Sequence, residues 1–332
     1  MVCLGYVMSS RIFPRKEIYV CTFDQPLSEG RISATIDREI ELSADFLKYC
    51  NEQWNSDNVG WVSSSLPSAV EIESDQEGTV KIHCGLSEYK YILGQFKLAL
   101  SLGRSSSEFV HGLSTEMFPL TLDETFILEQ RSSDTTQHAV GFCDIPTAGQ
   151  SAEIYLDAAR RDFPNLSISA EDLFGFARYN LMQHFGLRLE EIGKIGYVGF
   201  SKGFECSIDS QINGYVDINC EGREIITRSE SKDNGDKRLL YKFGDILDVL
   251  DSIGNQGKEK VKEDLQGRIP GVTSLTNNFG IVDVCLGTLL NILWHKNNNQ
   301  YHSALDILDK KGYQINEIKL GPESKIILDD LN

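Results

Sequence analysis

Positive charge is scarce in this chain. Of 332 residues only 32 are Lys or Arg, against 49 Asp or Glu, a formal net charge of -17. So acidic a chain repels phosphate backbones and anionic lipid, which argues against nucleic acid or a membrane surface as partner. A long apolar run is also missing: Ile281 to Trp294 is the longest, contains Asp283, and falls short of the roughly 20 residues that span a bilayer. The apolar run at Val2 to Met8 comes before the first positive charge, Arg11, the reverse of the order in a secretory signal. The eight cysteines (Cys3, Cys21, Cys50, Cys84, Cys143, Cys206, Cys220, Cys285) include no C-x-x-C pair, which removes the common zinc and thiol-redox motifs. Several lie in apolar or strand-like runs, where a reduced thiol acts as a small hydrophobe, so a cytoplasmic location is expected. A Gly-rich phosphate loop, an internal repeat and a low-complexity tract are absent too. Without a G-x-S-x-G turn or a placed histidine, Ser114 and Cys143 lack the partners of a nucleophile.

What is present is an ordinary globular composition, 41% hydrophobic and 24% charged, long enough for two domains or one core with large flanks. Strand patterns run from Lys16 to Phe23, from Arg31 to Leu42, and on either side of the Asp75-Gln-Glu-Gly78 turn. Ser43 is placed to cap a helix reaching about Trp54. Gly112 to Gln130 reads as two adjacent strands joined by the turn Thr121-Leu-Asp-Glu124, with Phe126, Ile127 and Leu128 as a fully buried run. Ile192 to Phe200, Gly203 to Ile208 and Gly214 to Asn219 follow as strands, then a polar segment from Glu221 to Arg238. Apolar residues at Leu239, Leu240, Phe243, Ile246, Leu247, Leu250 and Ile253 have the spacing of one helix face. Ile281 to His295 is an apolar helix, Ser303 to Lys311 a short one ended by Gly312, and Tyr313 to Leu328 supplies an edge strand. His295 and His302 are expected in a solvated Asn-rich turn, and Glu190 and Glu191 in solvent.

The stretch from Val140 to Leu187 carries the candidate site. It opens with the turn sequence Asp144-Ile-Pro-Thr-Ala-Gly-Gln150 and ends in a helix over Asp172 to Leu187, with Ser169 an alternative cap for a start at Ala170. Leu173, Ala177, Leu181 and Phe185 form the buried stripe. Asn180, Gln183 and His184 fall together on the adjoining flank, facing the loop that ends at Gly149.

These residues resemble the Nudix box, G-x5-E-x7-R-E-U-x-E-E-x-G-U. Asp144 to Gln150 is similar to the family's D-V-P-G-G-H, with Gly149 as the motif glycine, and Gly186-Leu187 matches the far end of the motif. Phe126-Ile-Leu-Glu-Gln-Arg-Ser132 resembles the strand that leads in, so the likeness covers residues 107 to 220. The resemblance implies a diphosphate site in which helix glutamates hold Mg2+ or Mn2+ and activate water. Here Tyr179, Asn180, Leu181, Gln183 and His184 stand where the family has R, E, U, E and E, and Tyr155 replaces the glutamate six residues after Gly149. Moving the register by one residue puts Tyr179, Met182 and Gln183 at the acidic positions, still without a carboxylate.

The expected fold is therefore mixed α/β: an N-terminal α+β flank over residues 1–106, a Nudix-like α/β/α sandwich over 107–228, and a mainly helical section over 229–332. The leading functional expectation is a Nudix-like protein that does not hydrolyse diphosphates but binds a nucleoside-diphosphate derivative or related phosphorylated metabolite. Gly149, Asn180, Gln183 and His184 would line the ligand, and Arg131, Arg160, Arg161 and Arg178 would grip phosphate. No cofactor or metal is expected in that reading. An alternative is a divergent pyrophosphohydrolase with Mg2+ or Mn2+ on relocated carboxylates, Glu153, Asp157, Glu171 or Asp172. The third is an interaction protein with a protein partner and no small ligand. Oligomeric state stays open.

Overall fold

A computed structural model describes residues 16–57, 63–92, 94–95, 110–130, 142–145, 149–150, 153–164, 166, 168–203, 209–230, 237–253 and 280–331. From the N-terminus, β1 (Glu17–Leu27) and β2 (Ile32–Ile36) flank a turn in which Gly30 takes φ 85°. The alternation that continues to Leu42 in sequence stops being a strand after Ile36, because the amides of Asp37 and Arg38 both turn onto Cys84 O. Ser43 Oγ accepts from Phe46 N at 3.2 Å and caps α1 (Ala44–Asp57). β3 (Ser65–Ser74) and β4 (Val80–Glu88) are joined by a turn that the Asp75 carboxylate closes, accepting from Glu77 N at 2.9 Å and Thr79 N at 2.8 Å.

β5 (Ser114–Thr121) and β6 (Thr125–Gln130) are joined by the expected turn, but they belong to different sheets. Then come β7 (Phe142–Asp144), β8 (Gly149–Gln150), α2 (Glu153–Asp162), α3 (Leu173–Phe185), β9 (Ile192–Gly203) and β10 (Asp209–Ile218). β9 and β10 contain the strands expected at Ile192 to Phe200 and at Gly214 to Asn219; of the strand expected from Gly203 to Ile208, residues 204–208 lie outside the described residues. The polar segment beginning at Glu221 holds a helix, α4 (Gly222–Glu230).

The helix expected over Leu239 to Ile253 is instead β11 (Lys237–Lys242), a 3-10 turn and α5 (Ile246–Ser252). Leu239 lies opposite Leu128 of β6 and packs into one core, while Leu240 packs against the other. Apolar residues on consecutive positions therefore mark a strand covered on both faces. β12 (Gly280–Ile281), α6 (Asp283–Lys296), α7 (Asn298–Lys310), β13 (Gln314–Lys319) and β14 (Lys325–Ile327) complete the chain. His295 and His302 sit on α6 and α7 rather than in a loop; the turn between the helices is Asn297, whose side chain caps α7.

The architecture is mixed α/β. A six-stranded sheet of order β13-β1-β9-β10-β5-β8 is central, beside four-stranded sheets of order β11-β6-β7-β12 and β14-β3-β4-β2. Alternate residues of the central strands feed two cores: Ile18, Val20 and Phe118 pack with α5, α6 and α7, whereas Phe23, Met117 and Phe200 pack with α3. Helices thus cover both faces. The boundaries expected at 106 and 228 are not respected by the sheets: β1 and β13 sit beside β9 in the central sheet, and β11 pairs with β6. The section after residue 228 contributes four strands as well as helices.

Glu191, expected in solvent, is buried where β9 begins. Its carboxylate accepts from Arg188 N at 2.8 Å and pairs with Arg188 at 2.6 Å and Arg228 of α4 at 2.8 Å. Hydrogen bonds from the two guanidinium groups hold its pKa down at about 2. A depressed carboxyl adds stability above its ordinary value of 4.5 and loses it as pH falls toward 2. Glu191→Gln is expected to destabilise the fold by about 1–3 kcal/mol at neutral pH. In chemical denaturation the gap to wild type should narrow as pH drops from 4.5 toward 2.

Candidate functional site

The candidate frame is built from the edge of the central sheet. Gly149 pairs with Thr115 and Gln150 with Ser114, so β8 lies against β5. α3 starts at Leu173 because Asp172 is its N-cap, accepting from Gly175 N at 2.8 Å, which corrects a start at Ala170 capped by Ser169. It ends at Gly186, whose left-handed φ of 64° lets its N–H reach Met182 O. Leu173, Ala177, Leu181 and Phe185 are all buried, as the periodicity requires. The flank residues differ in environment: Asn180 is buried, His184 half-buried and Gln183 exposed.

Three of the carboxylates offered as relocated metal ligands are engaged elsewhere. Glu171 accepts the backbone N–H of Ile36 at 2.7 Å, Asp172 caps the helix, and Asp157 pairs with Arg160 at 3.0 Å. Glu153 begins α2. Each described arginine of the expected phosphate grip holds an acid. Arg160 holds Asp157, Arg161 holds its neighbour Asp162 at 2.9 Å, and Arg178 reaches Glu29 at 2.9 Å. Arg131 lies outside the described residues.

The structure also assembles polar groups the sequence reading passed over. Across the other face of the central sheet, α6 is joined to three strands by a buried seam. Thr22 Oγ1 donates to Asn291 Oδ1 at 2.5 Å, Asn291 Nδ2 to Asn213 Oδ1 at 2.7 Å, and Asn213 Nδ2 to Thr288 Oγ1 at 2.6 Å. Thr288 in turn donates to Glu116 of β5. Glu116, Asp144 and Cys285 place one donor atom each within 4.8 Å of one another, all buried. Burial and the neighbouring Glu116 and Asp144 push the Cys285 thiol well above its ordinary range, so it is a protonated thiol rather than a nucleophile. Burial does the same to Cys143. The signal was present: Thr288 and Asn291 interrupt the longest apolar run three residues apart, on one helix face.

Comparison with known proteins gave no matching family model and no curated relative.

On the α3 side, Lys202 of β9 is fully buried near His111 and Asp329, with His111 Nε2 3.1 Å from Asp329 Oδ1. Desolvation pulls Lys202 down to about 7 and His111 down to about 4, and the Asp329 charge opposes both shifts. A lysine inside an apolar strand pattern was the only trace of this cluster in the sequence.

Both shifts have the same consequence. Between about 7 and its ordinary 10.5 Lys202 is protonated only in the unfolded chain, so stability rises with pH across that window. His111 has the same effect between about 4 and 6.5. Lys202→Met should be more stable than wild type at pH 7, with the advantage shrinking by up to about 1.4 kcal/mol per pH unit as pH rises to 8.5. Paired urea denaturations of the two proteins at several pH values measure it; a pH-independent difference would contradict the assignment.

Proposed function

We propose that this chain is a Nudix-like protein that does not hydrolyse diphosphates at α3, and that it holds a nucleoside-diphosphate derivative or related phosphorylated metabolite as a sensor or accessory protein. One observation supports the loss of hydrolysis. α3 offers Asn180, Gln183 and His184 where the resembled chemistry needs glutamates, and the nearby acids Glu171, Asp172 and Asp157 are engaged with Ile36 N, Gly175 N and Arg160. Hard divalent cations need charged oxygen ligands, so this flank is a poor place for Mg2+ or Mn2+.

The ligand half of the reading is supported by the arginines. The pairs of Arg160 with Asp157 and Arg161 with Asp162 are exposed, and such pairs contribute only about 0–1 kcal/mol, so a diphosphate can take the place of the carboxylate. The six described cysteines are buried, where thiols pack as small hydrophobes, which supports a reducing cytoplasm. Among the described residues no helix is long and apolar enough to cross a membrane.

The test is a thermal-shift panel of ADP-ribose and nucleotide sugars, in chelator and in Mg2+ or Mn2+, with product analysis of the same samples. Stabilisation without turnover is expected, reaching about 2.7 kcal/mol at a hundredfold excess over Kd, and Arg160→Ala should reduce it. Metal-dependent turnover lost on Glu153→Gln would replace this reading with the relocated pyrophosphohydrolase. No shift across the panel, together with a stably co-purifying protein, would replace it with an interaction protein.

A further inference from the structure

We propose that Glu71, Glu73 and His83 form a binding site for a zinc-class divalent cation on one face of the β14-β3-β4-β2 sheet. The site is separate from α3 and does not depend on the reading given above. In the antiparallel pairing of β3 with β4, Glu71 lies directly opposite His83 and Glu73 opposite Lys81, two residues along on the same face. A register shift between Ala69 and Glu71 sets this alignment. One donor atom from each of the three residues lies within 4.8 Å of the others.

Three acids and a histidine on a sheet surface are not in themselves a site; the state of His83 makes them one. Its side chain is 6% exposed. Its Nδ1 lies 2.9 Å from both oxygens of Asp37, which follows β2 on the neighbouring strand. With Asp37 taking the Nδ1 proton, the neutral tautomer that binds a metal presents its lone pair at Nε2. That buried Nε2 makes no hydrogen bond and points toward the acids, 3.5 Å from Glu73 Oε2. An imidazole oriented by a carboxylate behind it, with its other nitrogen unbonded among acids, is the arrangement in which histidine binds metal.

The counter-charges present can leave. Lys325 sits 3.3 Å from Glu71 Oε2 and Arg38 3.5 Å from Glu71 Oε1, while Lys81 lies 3.2 Å from Asp37. These side chains are 58%, 39% and 41% exposed, and such ion pairs are weak enough for the heads to swing into water. Beside the site opens an acidic groove of about 550 Å³, lined by Glu73, Asp75, Glu77, Glu323 and Lys325 among others, a route that concentrates cations. One imidazole with two carboxylates suits Zn2+ better than Mg2+, which prefers oxygen ligands alone. Three protein donors would leave one position of a tetrahedral ion for water or another ligand, the pattern of zinc sites that take a water or substrate.

The full chain, stripped with chelator, would be titrated with Zn2+ alone by calorimetry, with elemental analysis after gel filtration and Mg2+ as the comparison. We expect one zinc per chain, binding at least tenfold weaker in Glu73→Gln, and about 10–100-fold weaker in Asp37→Asn, which removes only the orienting carboxylate. Glu73 is half exposed, so Glu73→Gln should melt like wild type without metal, which separates lost binding from lost folding. Absence of bound zinc in the wild type, equal affinity for Mg2+, or unchanged zinc affinity in Glu73→Gln, which would place the ion on cysteines, each overturns the proposal.

Discussion

The seating of α6 across the central sheet is the constraint on which the rest depends. Within its apolar contact runs a polar seam, from Thr22 through Asn291, Asn213 and Thr288 to Glu116. Those residues come from β1, α6, β10 and β5, so the seam ties the beginning, middle and end of the chain into one layer. Buried polar groups are tolerable only when bonded, and each bond here has one rotational setting of α6 that satisfies it. Close approach is permitted by glycine: a Cβ on Gly287 would run into Ser201 Cβ, and one on Gly199 into the Asn291 side chain of α6. Apolar packing supplies most of the burial energy, and the seam selects which packing.

With α6 holding one face, α3 closes the other, and its surroundings follow. The strand β8, the Asp172 cap and the left-handed Gly186 make the strand, turn and helix frame, but the flanking charges are spent on structure. Glu171 ties the helix start to Ile36, and Arg178 ties its middle to Glu29. An amphipathic helix whose neighbouring acids and bases are bound to backbone or to each other serves as scaffold.

Charge is partitioned between two kinds of environment. Lys202, His111 and Cys285 are held inside, where desolvation favours their neutral forms. Glu71, Glu73 and His83 lie on β3 and β4 of the β14-β3-β4-β2 sheet and Asp37 just after β2, an arrangement that brings three acids around one imidazole. The first arrangement makes stability depend on pH; the second offers donors to a cation.

Sequence by itself determined the local structure that short-range physics controls: the Ser43 cap, the Asp75 turn, the buried stripe of α3 with its Gly186 stop, and the mixed α/β class. It also determined that no carboxylate stands on the α3 flank, since that is a matter of which residues are present. Tertiary structure decided what depends on partners distant in sequence. Leu239 and Leu240 became a strand because cores lay on both sides, Glu191 was buried because Arg228 met it, and β1 and β13 joined the central sheet across the domain boundaries expected at 106 and 228. The Glu71, Glu73 and His83 cluster arose only when β3 paired with β4, because strand pairing brings together side chains that lie far apart along the chain.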